Sequence, residues 1–202
     1  MQFRQIPIFL VLFLLSANLI HAKELRVGKK VPDFSLTSSD GEVHNLSDYR
    51  GKYVVLEWTN YDCPFVRKHY SSGNMQALQR EYTGKDVVWL SICSSAPGKQ
   101  GHFSNEIIQQ RGAEWKVAPT AYLIDAEGRV GKWYAAKVTP HMYVIDPRGR
   151  LVYQGGIDDI RSTDVVDIEK ATNYVRAALD AHMAGGKVSV RTSKPYGCSV
   201  KY

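Results

Sequence analysis

The chain has 202 residues, of which 44% are hydrophobic, 11% aromatic and 23% charged, and its formal net charge is +6. These fractions are ordinary for a folded protein and exclude a disordered chain, a collagen and a long coiled coil. Three cysteines are too few for a disulfide-dense scaffold. The basic residues are scattered along the chain, so we interpret the positive charge as a solvated surface and expect no nucleic-acid partner.

Residues 1–22 have the pattern of a secretory signal peptide. Arg4 gives the N-terminal region a positive charge, and an apolar run follows at residues 8–15. Ala22 is a small residue at the expected cleavage position. The apolar run is shorter than the ~20 residues that span a bilayer, so we expect no stable membrane insertion after cleavage, and an uncleaved anchor is the alternative. We therefore predict an exported protein, periplasmic or secreted, with a folded domain at 23–186 and an irregular tail at 187–202.

The rest of the sequence alternates between strand and helix patterns. Apolar runs rich in β-formers predict strands at 53–58, 87–92, 121–125 and 142–146, the last joined to 151–153 as a hairpin. Apolar spacing and capping residues predict helices at 64–82, 104–111 and 163–183, with a bend in the first at residues 71–73. This order predicts an α/β fold with a mixed central β-sheet and helices on both faces.

The reactive chemistry centres on Cys63, which lies where the first predicted core strand ends and a long helix begins. Pro64 suits the first position of a helix, so Cys63 is expected at the helix N-terminus, where the helix dipole favours a thiolate. Arg67 and Lys68 add positive potential within the next turn, whereas Asp62 acts in the opposite direction. We interpret Cys63 as a nucleophile, and a buried, inert cysteine is the alternative.

Six motifs follow one another along the chain: residues 28–36 (Gly-Lys-Lys-Val-Pro-Asp-Phe-Ser-Leu), 40–41 (Asp-Gly), 46–58, 62–65 (Asp-Cys-Pro-Phe), 139–153 and the C-terminal 196–202 (Tyr-Gly-Cys-Ser-Val-Lys-Tyr). Together they resemble the thioredoxin-like redoxin superfamily, in its peroxiredoxin-like (alkyl hydroperoxide reductase/thiol-specific antioxidant) branch. The resemblance implies a thioredoxin fold and a thiol-dependent oxidoreductase that needs no cofactor. Its substrate would be a peroxide or a protein disulfide, and an external thiol would serve as reductant.

The resemblance also implies roles for residues around Cys63. Pro140 would be a cis-proline facing Cys63, so that Thr139 and Pro140 shape the substrate site and the Thr139 backbone can pair with a substrate strand. His141 would lie close enough to assist with acid–base chemistry. Asn60 stands where typical members have Thr or Ser, and its amide is expected to orient the substrate.

Two departures from the family leave the substrate open. Val66 stands where a Cys-x-x-Cys protein has its second cysteine, so no dithiol cycle can run within that motif. Typical peroxiredoxins also have an arginine near the position of Pro140, and none is found there. The alternatives to a peroxidase are a monothiol protein-disulfide reductase or isomerase, and a redox-silent thioredoxin-like binding module.

The other two cysteines bear on turnover, because a sulfenic acid at Cys63 needs a resolving thiol or an external reductant. Cys198 is our candidate for the resolving thiol, since its tail could fold back or reach another subunit; a structural tail cysteine is the alternative. Cys93 follows a predicted core strand, beside a loop expected at the same end of the sheet as Cys63. We interpret Cys93 as a buried structural thiol, with a resolving role as the alternative.

The sequence predicts no metal and no nucleotide. Arg67 stands where the exported copper chaperones of this fold have the second cysteine of a Cys-x-x-x-Cys motif. There is also no Cys-x-x-Cys-His haem site and no glycine-rich phosphate loop. The oligomeric state is left open by the sequence.

Overall fold

A computed structural model describes residues 25–202, so the predicted signal peptide lies outside the described part of the chain. The strands are β1 Ser35–Ser38, β2 Val43–Asn45, β3 Val54–Trp58, β4 Val88–Cys93, β5 Ala121–Ile124, β6 Val138–Thr139, β7 His141–Ile145, β8 Leu151–Gly155 and β9 Cys198–Ser199. The α-helices are α1 Pro64–Ser71, α2 Asn74–Thr83, α3 Asn105–Glu114, α4 Arg129–Trp133 and α5 Tyr174–Met183. Short 3-10 helices occur at Leu46–Tyr49 and Val165–Asp167.

Seven strands form one mixed sheet in the order β2-β1-β5-β4-β3-β7-β8. Strands β3, β4 and β5 run parallel to one another, whereas β7 is antiparallel to β3 and forms the expected hairpin with β8. Every residue of β3, β4 and β7 is buried, as expected for strands covered on both faces. This arrangement confirms the predicted α/β class with a mixed central sheet.

Side chains alternate along each central strand and divide the core into two layers. Val55 and Met142 pack in one layer with Leu78 of α2 and Leu179 of α5. Leu56 and Tyr143 pack in the opposite layer, against α4 and the first 3-10 helix. The helices therefore cover both faces of the sheet, as the sequence predicts.

The helix predicted at 64–82 is two helices, because Gly73 adopts a left-handed conformation with φ +78° between α1 and α2. That value lies in the region that glycine enters without steric cost. Helix α3 begins after the predicted cap, Ser104, and continues through Gly112 to Glu114. Val117 packs against Gly112 at a distance that leaves little room for a side chain. The helix therefore continues two residues past the residue expected to end it.

The prediction of a helix from 163 to 183 is wrong for its first half. Helix α5 begins after Asn173, whose side chain accepts a hydrogen bond from Arg176 N at 2.9 Å. Just before it, Asn173 forms a β-bridge with Asp158, and Tyr174 N donates to Ile157 O. These contacts hold the preceding segment against the end of β8, so the helical spacing of its apolar residues does not produce a helix.

Removal of the α5 cap is expected to destabilise the protein measurably. Asn173→Ala leaves the Arg176 N–H without its partner, and loss of an N-cap costs about 1 kcal/mol. Asn173→Asp is the matched control, because aspartate caps as well as asparagine. Urea unfolding should show a lower midpoint for the alanine variant alone; equal midpoints for both variants would contradict the capping role.

The segment after α5 is more ordered than the irregular tail that the sequence predicts. Thr192 forms a parallel bridge with Gln154 of β8, and β9 pairs antiparallel with β6 in a second, two-stranded sheet. This route carries the tail from the outer strand of the main sheet back across the end of β3. Within residues 25–202, no helix is both long enough and apolar enough to cross a membrane.

Candidate active site

Cys63 is the N-cap residue of α1. Its backbone is extended (φ −74°, ψ 124°), and its N–H donates to Asn60 O at 2.9 Å. Pro64 occupies the first helical turn, as the sequence predicts. The thiol therefore lies at the positive end of the helix dipole. Cys63 has 0% of its surface exposed, so the surrounding chain covers it completely.

The segment before β7 faces this thiol. The Thr139–Pro140 peptide bond is cis, as the family resemblance implies. The Cys63 thiol donates a hydrogen bond to Thr139 O at 3.1 Å. The structure thus brings Cys63, Thr139 and Pro140 together at one end of the sheet, although they come from distant parts of the chain.

Cys198 completes this cluster. In the pairing of β6 with β9, Cys198 lies directly opposite Thr139. Burial and a hydrogen bond to the Cys63 thiol hold the pKa of Cys198 well above its usual range. Both cysteines are free thiols. The fold therefore places a second thiol, protonated at neutral pH, beside the thiol of the N-cap residue Cys63.

Cys93 has a different environment. It ends β4, is 5% exposed, and its thiol donates to Gly101 O at 3.3 Å. It also lies beside the buried Tyr122 hydroxyl. Its contacts lie in the 94–102 loop and on β5, which favours the structural interpretation of this thiol.

Both the oxygen and the nitrogen of the Asn60 side-chain amide form hydrogen bonds with the backbone. Its Oδ1 accepts from Asp62 N at 2.9 Å, and its Nδ2 donates to Gln100 O at 3.2 Å. Gly101 packs so closely on the Asn60 side chain that a Cβ at Gly101 would lie 2.5 Å from it. The amide thus joins the Cys63 loop to the 94–102 loop, and these two bonds leave its second Nδ2 hydrogen for another acceptor.

The charges around Cys63 are arranged differently from the sequence expectation. Arg67 is exposed on α1, whereas Lys68 is buried and its ammonium donates to Ile160 O and Ser162 Oγ at 3.4 and 3.3 Å. Asp62, the unfavourable neighbour, forms an ion pair with Arg111 of α3 at 2.7 Å. Sequence reasoning missed Arg111, because nothing local marks a residue on another helix as a partner of Asp62.

His141 lies away from the thiols. Its ring packs on Tyr143, with centroids 4.6 Å apart, and its Nδ1 is 3.0 Å from the Tyr143 hydroxyl. Tyr143 belongs to the core layer opposite that of Cys63, so the sheet separates His141 from the cysteine. Burial, with a smaller effect of Lys137, lowers the pKa of His141 to about 3. The ring is therefore neutral at physiological pH and faces a cavity of about 250 Å³ instead of Cys63.

A buried carboxylate lies beneath the helices that carry the site. Glu57 of β3 is 0% exposed. Its oxygens accept hydrogen bonds from Tyr70 (2.8 Å), Trp89 (2.9 Å), Ser91 (3.1 Å) and Gln79 (3.3 Å). Burial raises the pKa of Glu57 despite these donors. Sequence reasoning missed this network, although a glutamate within an apolar strand run was a visible signal.

The described residues contain no cluster of side chains with the arrangement of a metal site. Within 25–202, no group of three or more His, Cys, Asp or Glu side chains is arranged to hold one. The groups that the site does bring together are two thiols, the N-terminus of α1 and the backbone of the cis-proline segment.

Comparisons with known proteins agree with a thiol site. The model of the AhpC/TSA family matches residues 27–154. Peroxiredoxin Bcp of Bacillus subtilis is 26% identical over 141 residues, which cover 63% of this chain and 83% of that protein. Thiol-disulfide oxidoreductase ResA of Geobacillus kaustophilus is 29% identical over 126 residues, which cover 62% of this chain and 66% of that protein.

A solved structure matches most of the chain. It is the crystal structure of an uncharacterized conserved protein from Geobacillus kaustophilus, with a TM-score of 0.76 and 31% sequence identity. The match covers 88% of this chain and 93% of that one, so it extends well beyond the region of the family model. Together with the other structural neighbours, it confirms the thioredoxin-like fold.

Proposed function

The chain belongs to the AhpC/TSA family and is a thiol-dependent oxidoreductase, and we propose that it is an exported, peroxiredoxin-like enzyme in which Cys63 is the nucleophile and Cys198 the resolving thiol. The observation that carries this proposal is that both cysteines meet at Thr139: the Cys63 thiol donates to Thr139 O at 3.1 Å, and Cys198 lies directly opposite Thr139 in the β6–β9 pairing. Export is supported by the signal-peptide pattern of residues 1–22.

The positions of the two cysteines support different roles. Cys63 is the N-cap residue of α1, at the positive end of the helix dipole, whereas Cys198 lies on a two-residue strand and burial raises its pKa. A thiolate at Cys63 attacks one peroxide oxygen and breaks the O–O bond, which gives a sulfenic acid and releases water or an alcohol. The sulfur of Cys198 then attacks the sulfenic sulfur and expels water. The peroxide gains two electrons, the two thiols become a disulfide, and an external dithiol reduces that disulfide.

A protein disulfide is the second candidate substrate. It is favoured by the pairing of an extended, cysteine-bearing strand with the Thr139 backbone, and by the match to a thiol-disulfide oxidoreductase. In this case Cys63 forms a mixed disulfide with the substrate and releases one substrate thiol. Cys198 then displaces the other substrate thiol, so two electrons pass from the cysteine pair to the substrate.

The test is a non-reducing peptide map, by mass spectrometry, of the reduced protein after one equivalent of hydrogen peroxide. The proposal expects a rapid disulfide between the Cys63 and Cys198 peptides. Cys93→Ser serves as the matched control, because Cys93 is buried and bonded elsewhere, and it should give the same product. If Cys63 stays a free thiol while a control peroxiredoxin is oxidised, the peroxidase proposal is wrong.

The same map distinguishes the second candidate. An oxidised dithiol peptide replaces hydrogen peroxide as the oxidant, and disulfide formation between Cys63 and Cys198 is followed again. Reaction with the peptide but not with peroxide would identify a disulfide reductase. Reaction with neither oxidant would overturn both candidate substrates.

A further inference from the structure

A cavity of about 270 Å³ lies beside the segment that leads to Cys198. Two carboxylates, two cations and two aromatic rings line it: Asp158, Asp159, Arg161, Lys194, Tyr174 and Tyr196. Ligand sites place a few polar groups so that they match the polar groups of the ligand. Charges of both signs in one small cavity therefore match a molecule that carries both an ammonium and a carboxylate.

Asp158 is the buried charge of this cavity, with only 4% of its surface exposed. Its Oδ1 accepts hydrogen bonds from the Tyr196 hydroxyl and from Ile160 N, whereas no donor within residues 25–202 bonds to its Oδ2. A buried carboxylate that lacks donors is costly, and burial raises the pKa of Asp158. An ammonium in the cavity would supply both the missing donor and a compensating charge.

The nearest basic side chains of the protein leave Asp158 Oδ2 without a donor. The Lys68 ammonium donates to Ile160 O and Ser162 Oγ instead. His69 Nε2 lies 3.8 Å from Asp158 Oδ2, which is beyond hydrogen-bond distance. Burial, with a smaller effect of Lys68, lowers the pKa of His69 to about 3, so its ring is neutral at physiological pH. The Oδ2 atom is therefore available to a cation from outside the chain.

Arg161 and Lys194 give the cavity its positive charge. Both residues are exposed, and neither forms an ion pair with a carboxylate in the described part of the chain. A guanidinium binds a carboxylate through two parallel hydrogen bonds, and an ammonium adds a point charge. These two side chains can therefore hold the carboxylate of a ligand.

The cavity adjoins the accessible cysteine of the redox pair. Tyr196, which lines it, comes two residues before Cys198, so their Cα atoms are at most about 7 Å apart. Cys198 is partly exposed, whereas Cys63 is completely buried. A thiol that approaches from the cavity therefore meets the Cys198 sulfur first.

We propose that this cavity binds the reductant of the enzyme, a small peptide thiol whose α-amino acid end carries a free ammonium and a free carboxylate. Asp158 holds the ammonium, and Arg161 with Lys194 holds the carboxylate, which directs the thiol to Cys198. A peptide of about three residues spans about 10 Å when extended, so it bridges this distance. The inference rests on the proposed function, because the bound thiol reduces the disulfide between Cys63 and Cys198.

The reduction uses two molecules of the thiol. The thiolate of the first attacks the Cys198 sulfur, breaks its bond to Cys63 and forms a mixed disulfide with Cys198. Cys63 leaves as a thiolate at the positive end of the α1 dipole. The second thiolate attacks the ligand sulfur of the mixed disulfide and releases Cys198. The two ligand molecules leave joined by a disulfide, their two electrons reduce the protein, and the protons they lose pass to Cys198 and to solvent.

Binding is measured by isothermal titration calorimetry of the reduced protein with S-methylglutathione, which has the charged end but no reactive thiol. The wild type should bind it at one site. Arg161→Gln combined with Lys194→Gln should weaken binding at least about tenfold, because charged hydrogen bonds are lost. Lys187→Gln combined with Arg191→Gln is the matched control: it removes the same charge from exposed residues outside the cavity lining, and it should bind like the wild type. Absence of binding to the wild type would overturn the site.

The contact between Asp158 and the ammonium is tested with a second ligand, the S-methyl form of glutaryl-cysteinylglycine, which is the same molecule without the ammonium. The wild type should bind it at least about tenfold more weakly than S-methylglutathione. Asp158→Asn can still accept from Tyr196 and Ile160 N but carries no charge, so it should bind both ligands equally. Equal binding of both ligands by the wild type would overturn the ammonium contact, as would an undiminished difference in the variant.

The reductant role is tested on protein that carries the Cys63–Cys198 disulfide, by counting free thiols over time. At a subsaturating concentration, glutathione should reduce the wild type at least about tenfold faster than the Arg161→Gln, Lys194→Gln variant. Dithiothreitol, which has no charged end, should reduce both at the same rate. Equal rates with glutathione would overturn the reductant role. The calorimetry uses reduced protein without oxidant, so binding can fail while the Cys63–Cys198 redox cycle holds, and the reverse.

Discussion

Replacing Cys63 with serine is expected to abolish thiol turnover down to the background rate of the uncatalysed reaction. Cys63 is the N-cap residue of α1, and its sulfur contacts both Thr139 O and Cys198. A serine hydroxyl at this position can keep the hydrogen bond to Thr139, so the fold should survive. However, an alkoxide is far less accessible than a thiolate at neutral pH, and the nucleophile is lost. The measurement is the consumption of hydrogen peroxide, and separately of an oxidised dithiol peptide, with dithiothreitol as reductant.

The Cys198→Ser variant separates the first step from the second. It should still form one equivalent of sulfenic acid at Cys63, which dimedone traps and mass spectrometry counts, but its turnover with a dithiol reductant should be slower than that of the wild type. The Cys93→Ser variant should behave like the wild type, because Cys93 contacts Gly101 and Tyr122. Full activity of Cys63→Ser would refute the nucleophile, and full activity of Cys198→Ser would refute the resolving thiol.

Replacing Glu57 with leucine is expected to cause the largest loss of stability of any single change considered for this protein. Four donors converge on its carboxylate, from Tyr70, Gln79, Trp89 and Ser91, and all of these side chains are buried. A leucine would leave the donors of Tyr70, Trp89 and Ser91 without an acceptor, whereas Gln79 Nε2 also donates to the Tyr70 hydroxyl at 3.1 Å. Each unsatisfied buried donor costs about 1–3 kcal/mol. We therefore expect the free energy of unfolding to fall by about 4 kcal/mol or more. Urea unfolding measures this loss.

Glu57→Gln is the matched comparison, and it tests the charge separately from the hydrogen bonds. Burial raises the folded-state pKa of Glu57 above the ordinary value of 4.5. The favourable contribution of the protonated form is therefore fully present below about pH 4.5 and is lost as the pH rises through the folded-state pKa. Glutamine carries no charge at any pH, so its stability relative to the wild type should increase between pH 4 and pH 8. A difference that stays constant over this range would show that the charge of Glu57 does not contribute.

The sequence was informative wherever structure depends on neighbouring residues. The apolar runs of β3, β4 and β7 predicted buried strands, because a strand covered on both faces must be apolar along its whole length. The Cys63-Pro64 pair marked the start of α1, since proline suits the first turn of a helix. The helix predicted from apolar spacing at residues 163–173 is wrong, because backbone hydrogen bonds with Asp158 and Ile157 hold the end of this segment in a non-helical conformation.

The sequence by itself thus determined the fold class, the position of Cys63 at a helix N-terminus and, through the family resemblance, the cis-proline at residue 140. Only the tertiary structure decided what surrounds that thiol. It placed Cys198 against Cys63, paired Asp62 with Arg111, and put His141 on the other face of the sheet. The physical reason is that helix caps and strand alternation depend on residues a few positions apart. Contacts between distant residues depend instead on how whole elements pack. Here they depend on a tail that crosses the end of the sheet so closely that a Cβ at Gly197 would lie 1.9 Å from Thr139 O.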